Sequence, residues 1–296
     1  MEKTFHNSCL VCQGSDIKSI PGYERHDLSQ CKTCGFVFMR KIPTQSELKE
    51  YYSTYAYETE RKMPEATKIS IENLLNKFEK YRKNNSMLDV GCGEGWILEM
   101  AKTRGWQVYG TEFSPKAIDI CSKKGIKMYS GLLRAENIEE KEFDIIVSTE
   151  TIEHINNPRG EINNFYQLLR QGGLLYITTP NFNSYLRRLF KDKYDIIEYP
   201  EHLSYYTKKT LNKLLKDSGF RKLKLLTTGI SLSRYQQSKI YESKQLSGIK
   251  NEDEQLREKI AKSPFLRILK VLINAMLTAL GIGMKLKAFY VKKQSN

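Results

Sequence analysis

Three glycines at alternate positions, followed by an acid about twenty residues later, are the residues of this chain best suited to bind a small ligand. The segment LDVGCGEG, residues 88–95, reads as a buried strand that runs into a glycine-rich turn. Without Cβ atoms, such a turn lets the backbone approach a ligand closely. The next predicted strand ends in Glu112, and an acid there can accept hydrogen bonds from both hydroxyls of a ribose. No Lys-Ser or Lys-Thr directly follows the glycines, so the sequence excludes a P-loop and predicts a nucleoside ligand.

These motifs resemble those of the class I S-adenosylmethionine-dependent methyltransferases over roughly residues 70–230. LDVGCGEG is similar to the first motif of that family, and YGTEFS, residues 109–114, is similar to the second. FDIIVSTETIEHINNP, residues 143–158, resembles the fourth strand with its following loop. Residues 172–181 resemble the fifth strand, and residues 201–220 resemble the helix that leads to the sixth. The resemblance implies S-adenosylmethionine as the cofactor.

The resemblance also implies cofactor contacts for individual residues. Asp89 and the glycine backbone would hold the methionine end, Glu112 the ribose, and Phe113 the adenine. The chain departs from the family at Leu132, where an acid often binds the adenine amino group, so we expect backbone and apolar contacts there. Cys92 is interpreted as a small residue in a crowded turn and not as a nucleophile. The full predicted set is Asp89, Gly91, Cys92, Gly93, Gly95, Glu112, Phe113, Leu132 and Thr149.

A second group of residues could assist the transfer itself. Glu150, Glu153 and His154 follow the predicted fourth strand, and a helical turn there would place Glu150 on one face with Glu153 or His154. His202 follows later in the chain. Two carboxylates and two imidazoles suit a divalent metal with room for substrate oxygens. The sequence equally allows Glu153 and His154 only to order the loop, or His154 to act as a base without a metal.

This acid-acid-histidine segment with a distant histidine resembles the metal motif of the small-RNA 3′-terminal 2′-O-methyltransferases, whose metal grips both hydroxyls of a terminal ribose. It is also similar to a segment of the ubiquinone-pathway O-methyltransferases, which act on a catechol. Both substrates are vicinal diols. The resemblance implies His154, His202 and Glu153 as catalytic residues. It implies a second divalent metal (manganese, magnesium, iron or zinc) bound by Glu150, Glu153, His154 and His202.

Four of the six cysteines form two CxxC pairs near the amino terminus. Cys9 and Cys12 are separated by eighteen residues from Cys31 and Cys34, a spacing that can present four thiolates tetrahedrally to zinc. A closed four-sulfur site leaves no coordination position for a substrate, so we expect a structural zinc ribbon. This region resembles the zinc-binding amino-terminal region of sugar C-methyltransferases and of many methyltransferases of surface-glycan pathways.

Predicted helices and strands alternate from residue 65 onward, and such alternation specifies a parallel, doubly wound sheet. We expect an α/β, Rossmann-like, seven-stranded methyltransferase sheet with ligands at the carboxyl ends of its strands. The predicted helices lie near 65–83, 96–104, 115–124 and 159–170, and the predicted strands lie at 87–90, 107–111, 127–130, 143–148, 174–178, 221–228 and 284–291.

These motifs divide the chain into five predicted regions. They are a zinc-ribbon-like region at 1–42, a helical lid or linker at 43–83, a cofactor-binding core at 84–230, a helical insertion at 231–283, and a final strand with a tail at 284–296. Tyrosines crowd the predicted lid helix, where they either pack on the core or line a sugar site. They are Tyr51, Tyr52, Tyr55 and Tyr57.

The composition of the 296-residue chain, 40% hydrophobic and 28% charged, is ordinary for a soluble enzyme. Its first residues lack a signal-peptide core, and it has no apolar run of the roughly 18 residues that a bilayer requires. We therefore expect a cytoplasmic protein, peripheral at the inner face of the membrane if it binds one. The formal net charge of +14 suits a solvated basic face, an anionic membrane, a phosphate-linked substrate or RNA. Its diffuse distribution makes nucleic acid the weaker candidate.

Residues 264–280 form a mostly apolar predicted helix. Arg267, Lys270, Asn274 and Thr278 recur at helical spacing and leave a narrow polar stripe. Two charges in so short a run argue against a membrane span. Three interpretations stay open: the helix lies in a membrane surface, packs in a homodimer, or is buried against the sheet.

Together these observations predict a zinc-stabilised methyltransferase that methylates a sugar hydroxyl, with metal assistance, on a nucleotide-linked or lipid-linked precursor of a cell-surface glycan. One alternative is C-methylation of a nucleotide-linked keto-sugar, in which a histidine removes a proton and no metal is needed. Another is a zinc-ribbon RNA-binding protein or RNA methyltransferase, which the basic charge permits.

Overall fold

The computed structural model describes residues 4–44, 46–48, 51, 61–239 and 250–293. Three of the four lid tyrosines, Tyr52, Tyr55 and Tyr57, lie outside these ranges. Within them the strands are β1 (Ile17–Ser19), β2 (Leu28–Cys31), β3 (Val37–Met39), β4 (Ser86–Val90), β5 (Gln107–Glu112), β6 (Lys127–Ser130), β7 (Phe143–Thr149), β8 (Leu169–Pro180), β9 (Ser204–Tyr205), β10 (Phe220–Thr228) and β11 (Lys285–Lys292). The helices are α1 (Glu65–Phe78), α2 (Trp96–Thr103), α3 (Pro115–Lys123), α4 (Pro158–Leu168), α5 (Tyr185–Phe190), α6 (Lys208–Asp217), α7 (Leu232–Lys239), α8 (Lys250–Lys262) and α9 (Pro264–Leu280).

The principal sheet has seven strands in the order β10-β11-β8-β7-β4-β5-β6. Strands β4 to β8 pair in parallel, and β11 pairs antiparallel with both β8 and β10. Every residue of the central strand β4 is buried, as an apolar strand requires when helices cover both faces of a sheet. The predicted seven-stranded, doubly wound sheet is confirmed.

Strand β8 is longer than the predicted segment 174–178. Its first residue, Leu169, pairs with the start of β7, and its last, Pro180, pairs with Lys285 of β11. The sequence showed only the apolar middle because the ends of the strand are partly exposed.

A second, antiparallel sheet has the order β1-β2-β3-β9. Strand β9 comes from the segment after β8, and Val37 of β3 pairs with Tyr205 of β9. Apolar residues of the cysteine region, including Val11 and Phe36, share one buried cluster with Leu88 of β4. This sheet therefore crosses the boundaries predicted between regions 1–42 and 84–230, and those boundaries stay predictions.

The predicted apolar helix is present as α9. Ser263 caps its first turn, since its Oγ accepts a hydrogen bond from the amide of Leu266, and Gly281 ends it with a positive φ of 71°. Among the side chains of α9 Leu277 alone is buried, so the interpretation that the helix is buried against the sheet is wrong. In the described ranges the helices are too short or too polar to cross a membrane.

A buried ion pair ties the beginning of β7 to the segment before β4. The Asp144 side chain is inaccessible to solvent and pairs with Arg170. Its Oδ2 accepts hydrogen bonds from the amides of Lys83, at 2.8 Å, and Asn84, at 2.7 Å. One carboxylate thus fixes two neighbouring strands of the parallel sheet.

Replacing Asp144 with alanine should destabilise the fold by about 3–5 kcal/mol, because it leaves a largely buried guanidinium and two amides without their acceptor. Asp119→Ala is the matched control, since it removes an exposed pair with Lys123 on α3 that solvent screens. Urea unfolding measures both variants. Equal changes in the unfolding midpoint would contradict this role for Asp144.

Candidate functional site

The glycine turn between β4 and α2 is shaped for a ligand that approaches the backbone. Gly91, Gly93 and Gly95 have φ values of 70°, 54° and 73°, which residues with side chains rarely adopt. A Cβ on Gly91 would lie 2.6 Å from Oγ1 of Thr151. Glycine at this position therefore allows the loop after β7 to pack directly on the turn.

Two acids face this turn. Asp89 is 2% exposed, and its Oδ1 has no hydrogen-bond partner among the described residues. Burial raises the pKa of Asp89 well above its usual range. At the end of β5, the Glu112 carboxylate accepts hydrogen bonds from the amides of Gly93, at 2.9 Å, and Phe113, at 2.7 Å. A buried carboxylate with an unused oxygen beside an open glycine turn fits a hydrogen-bonding, cationic ligand.

The other predicted cofactor residues surround the same turn. Gly131 donates its amide hydrogen to the carbonyl of Glu112, so Leu132 lies near the end of β5. Phe113 and Leu132 are 50% and 55% exposed, an apolar pair suited to the faces of a base. A hydrogen bond with Cys121, together with burial, raises the pKa of the Cys92 thiol, and a protonated thiol agrees with a packing role.

Glu153, His154 and His202 come together beyond the carboxyl ends of β7 and β8. One potential ligand atom from each lies within 4.8 Å of the others. His154 Nδ1 is 2.7 Å from the carbonyl oxygen of Glu201, and His202 Nδ1 is 2.6 Å from that of Ile196. A carbonyl only accepts, so each ring donates from Nδ1 and keeps the lone pair of Nε2 for another partner.

Burial controls the charge of this group. Glu153 is 2% exposed, its Oε2 accepts from Oγ1 of Thr179 at 2.9 Å, and its Oε1 lacks a partner in the described part of the chain. Burial, with the nearby charge of Glu150, raises the pKa of Glu153 well above its usual range. Burial lowers the pKa of His154. Burial and the neighbouring His154 ring lower the pKa of His202 to about 4. Both imidazoles are therefore neutral near pH 7.

Glu150, the fourth predicted ligand, does not join this group. Its carboxylate accepts a hydrogen bond from Thr178 at 2.7 Å and lies 3.3 Å from Nζ of Lys285. The predicted helical turn does not include Glu150, because its φ is 52° and the 3-10 turn begins at Ile152. The sequence motif also could not reveal Lys285, which β11 brings from far along the chain.

Thr151 connects the two sites, and sequence analysis missed it. Its Oγ1 donates to the carbonyl of Val90 at the end of β4, at 3.1 Å. Two residues later, the carbonyl of Glu153 accepts from the amide of Leu203, at 2.8 Å, next to His202. The loop after β7 therefore contacts the glycine turn on one side and the segment of His202 on the other. A lone threonine carries no signal of such a role in sequence.

The four amino-terminal cysteines converge as predicted. Their sulfur atoms lie within 4.8 Å of one another, with Cys9 3.6 Å from Cys34 and Cys12 3.5 Å from Cys31. All four are free thiols. A tetrahedron with metal–sulfur bonds of about 2.3 Å places its sulfurs about 3.8 Å apart. The cluster could therefore hold a zinc ion with little rearrangement.

The cysteine cluster supports the segment that contains His202. Strand β3 follows Cys34 and pairs with β9, which begins two residues after His202. The amide of Met39 also donates to the carbonyl of Leu203, at 2.9 Å. The amino-terminal sheet therefore helps to hold His202 in place within the Glu153–His154–His202 group.

Comparisons with known proteins agree with this geometry. A family model described as a methyltransferase domain matches residues 59–225, more than half of the chain. The ubiquinone biosynthesis O-methyltransferase of Pelagibacter ubique is 31% identical over 120 residues, covering 37% of this chain and 50% of that protein. The protein of the same name from Azoarcus is 31% identical over 109 residues, covering 34% and 47%. The chain spans about half the length of these curated relatives.

A solved structure shows the same fold. A putative sarcosine dimethylglycine methyltransferase from Galdieria sulphuraria matches with a TM-score of 0.51 and 16% identity, covering 77% of this chain and 85% of that chain. Together with the family model, this likeness agrees with the Rossmann-like methyltransferase sheet described above.

We expect the purified protein to contain one zinc ion per chain, because four sulfurs already lie at nearly tetrahedral separations. Cys31→Ser should lose the zinc and lower the thermal midpoint of unfolding, yet largely keep cofactor affinity, since the glycine turn lies in the other sheet. Cys121→Ala, which changes a cysteine outside the cluster, should keep the zinc. Elemental analysis measures the metal, and a zinc-free parent protein would refute the assignment.

Proposed function

The chain belongs to the methyltransferase-domain family, and on this premise we propose that it transfers a methyl group from S-adenosylmethionine to a hydroxyl oxygen of an acceptor with two adjacent hydroxyls. One observation carries the proposal: Thr151 joins the glycine turn to the loop of the Glu153–His154–His202 group. Methyl transfer requires a donor site and an acceptor site held in line. The two joined sites suit these two roles.

The residues around the glycine turn suit the methyl donor. The unused oxygen of Asp89 can accept a hydrogen bond from the ammonium group of S-adenosylmethionine. Glu112 lies at the end of β5, the position from which an acid binds ribose hydroxyls in such sheets. Phe113 and Leu132 offer apolar surface to the adenine. The positive φ of the glycines gives this turn a backbone conformation that residues with side chains rarely adopt.

Glu153, His154 and His202 would hold a divalent cation, which lowers the pKa of a bound hydroxyl or water when present. Carbonyls of Glu201 and Ile196 fix the two imidazole rings through Nδ1, and such outer contacts orient metal-binding histidines. The positive charge of a cation would favour the ionised form of Glu153 and so oppose the effect of burial.

The acceptor we favour has two adjacent hydroxyls of a sugar or a catechol. A narrow cavity of about 10 Å³ beside the Glu153–His154–His202 group is lined by residues that include Asn181, Phe182 and Tyr205. It has room for a water molecule and not for a ring, so the acceptor would bind outside it. The relatives named as O-methyltransferases of ubiquinone biosynthesis support oxygen as the methylated atom. The glycan precursor predicted from the sequence has no support from these relatives and stays a prediction.

C-methylation by a histidine base is the second candidate. The low pKa of His202 and the lowered pKa of His154 leave neutral imidazoles that can take a proton from carbon next to a carbonyl. This reaction needs no metal at the Glu153–His154–His202 group. Dependence of methyl transfer on a metal at that group therefore separates the two candidates. The RNA alternatives stay predictions.

We further propose that zinc in the cysteine cluster has a structural role. Four sulfur ligands would complete its coordination and leave no position for the acceptor. Zinc would hold the strand after Cys34 against β9. In this way it would keep His202 beside His154 without taking part in the transfer.

Asp89→Asn and Glu112→Gln should each weaken S-adenosylmethionine binding about ten-fold to a hundred-fold, because a hydrogen bond to a charged acceptor contributes about 1.5–3 kcal/mol. Calorimetric titration of each folded variant gives the affinity. Glu136→Gln, an exposed acid outside the turn, should bind as the parent does. Absence of binding by the parent protein would refute the proposed donor.

Glu153→Ala, His154→Ala and His202→Ala should keep S-adenosylmethionine affinity and lower kcat about a hundred-fold or more with a catechol acceptor. A chelator should inhibit the parent protein, and added manganese should restore it. Glu136→Gln, which changes an exposed acid outside the Glu153–His154–His202 group, is the control and should remain chelator-sensitive and active. If the chelator has no effect while His154→Ala abolishes transfer, the histidine-base mechanism replaces the metal-assisted one.

A further inference from the structure

Helix α9 turns the carboxyl-terminal half of its polar stripe, Asn274 and Thr278, toward the protein. Oδ1 of Asn274 accepts a hydrogen bond from the amide of Gly229 at 2.9 Å, and Oγ1 of Thr278 donates to the carbonyl of Thr227 at 2.8 Å. Both polar side chains thus bond to the end of β10. An amphipathic helix at a protein surface ordinarily turns its polar side to water, so α9 has the reverse orientation.

The remaining sides of α9 expose large apolar side chains, which we call the apolar face. Their exposed fractions range from 41% to 72%. They are Phe265, Ile268, Leu269, Val271, Leu272, Met276 and Leu280. Single exposed apolar residues are common, but a row along a whole helix marks a surface that another apolar phase covers.

Basic side chains accompany the apolar face. Helix α9 contains Arg267 and Lys270, both exposed, and no Asp or Glu between Pro264 and Leu280. A helix that is apolar, basic and free of acids is typical of helices that lie in the interfacial plane of an anionic membrane.

Lysines from three elements gather beside α9. Burial and the charges of Lys285, Lys270 and Lys77 lower the pKa of Lys287 to about 8, and Glu150 is the acid that opposes them. Four amines with one nearby carboxylate leave this surface with an excess of positive charge. A bound anion would relieve their mutual repulsion.

We propose that α9 docks the protein on an anionic phospholipid surface, with the apolar face among the upper acyl chains and the neighbouring lysines on lipid phosphates. A second copy of this chain is a poorer occupant of the apolar face. A two-fold interface would bring the same lysines of both copies together, and like charges facing one another oppose association. An anionic lipid surface instead complements both features of α9, because its phosphates attract the basic residues and its acyl chains cover the apolar face. This inference does not rest on the proposed reaction.

The test is co-sedimentation of the full chain with vesicles of phosphatidylcholine alone or mixed with phosphatidylglycerol. We expect binding to the mixed vesicles and weak binding to the neutral ones. Lys270→Gln should weaken partitioning about five-fold, since one basic residue near an anionic surface contributes about that factor. Leu272→Ser, which leaves the charge unchanged, should weaken it about ten-fold through lost apolar burial.

Lys116→Gln provides the control. It removes the same charge from α3, beside the strands at the opposite edge of the principal sheet, and should bind vesicles as the parent does. Calorimetric binding of S-adenosylmethionine by each variant separates a folding defect, or failure of the proposed donor site, from a loss of docking.

Three outcomes would overturn the proposal. The first is failure of the parent protein to bind the mixed vesicles. The second is a dimer in analytical ultracentrifugation that Leu272→Ser dissociates, which would assign the apolar face to a second copy. The third is binding of inorganic phosphate, lost in Lys270→Gln, without vesicle binding, which would reduce the lysines to a site for a free anion.

Discussion

The architecture of the site depends on a loop that is held from both sides. The segment after β7 bonds to the end of β4 through Thr151 and to the segment of His202 through the carbonyl of Glu153. Gly91 makes the first contact possible, because a side chain there would collide with Thr151. The two surfaces proposed to bind the donor and the acceptor therefore share one short stretch of backbone, and displacement of that stretch would disturb both.

Both surfaces contain a buried carboxyl group with an unpaired oxygen, an arrangement that lowers the stability of the fold. Asp89 and Glu153 are each 2% exposed and each has an oxygen without a partner in the described ranges. Unpaired buried polar atoms cost stability. Asp144, by contrast, is equally inaccessible and uses its oxygens for two amides and a guanidinium. Asp144 therefore holds the sheet together, whereas Asp89 and Glu153 each keep an oxygen that the proposed ligands could use.

The sequence predicts the principal sheet well because its strands are apolar runs between helices with clear periodicity. Strand β7, for example, begins at the predicted residue and ends one residue after the predicted range 143–148. The glycine turn and Glu112 are also readable, since they depend on backbone conformation and strand order. The assembly of Glu153 and His154 with His202 was predicted from the residue types that divalent metals prefer and from resemblance to other proteins, because no local pattern places His202 beside His154.

Three features escaped prediction for physical reasons. The assignment of Glu150 as a metal ligand depended on a helical turn that would place it on one face with Glu153 or His154. Its positive φ breaks that turn. Strand β9 has two residues, too few for a pattern. The polar stripe of α9 was visible, yet its direction depends on hydrogen bonds to Thr227 and Gly229 that no local pattern encodes.

The pairing of β3 with β9 has a consequence for synthesis of the chain. The cysteine region leaves the ribosome before β9, because the last strand of its sheet lies at Ser204–Tyr205, after five of the seven strands of the principal sheet. During translation the four thiols therefore precede the strand that completes their sheet, and domains generally fold as units once their sequence is available. Zinc bound by the two CxxC pairs, as proposed above, would protect these thiols from oxidation until β9 has been synthesised.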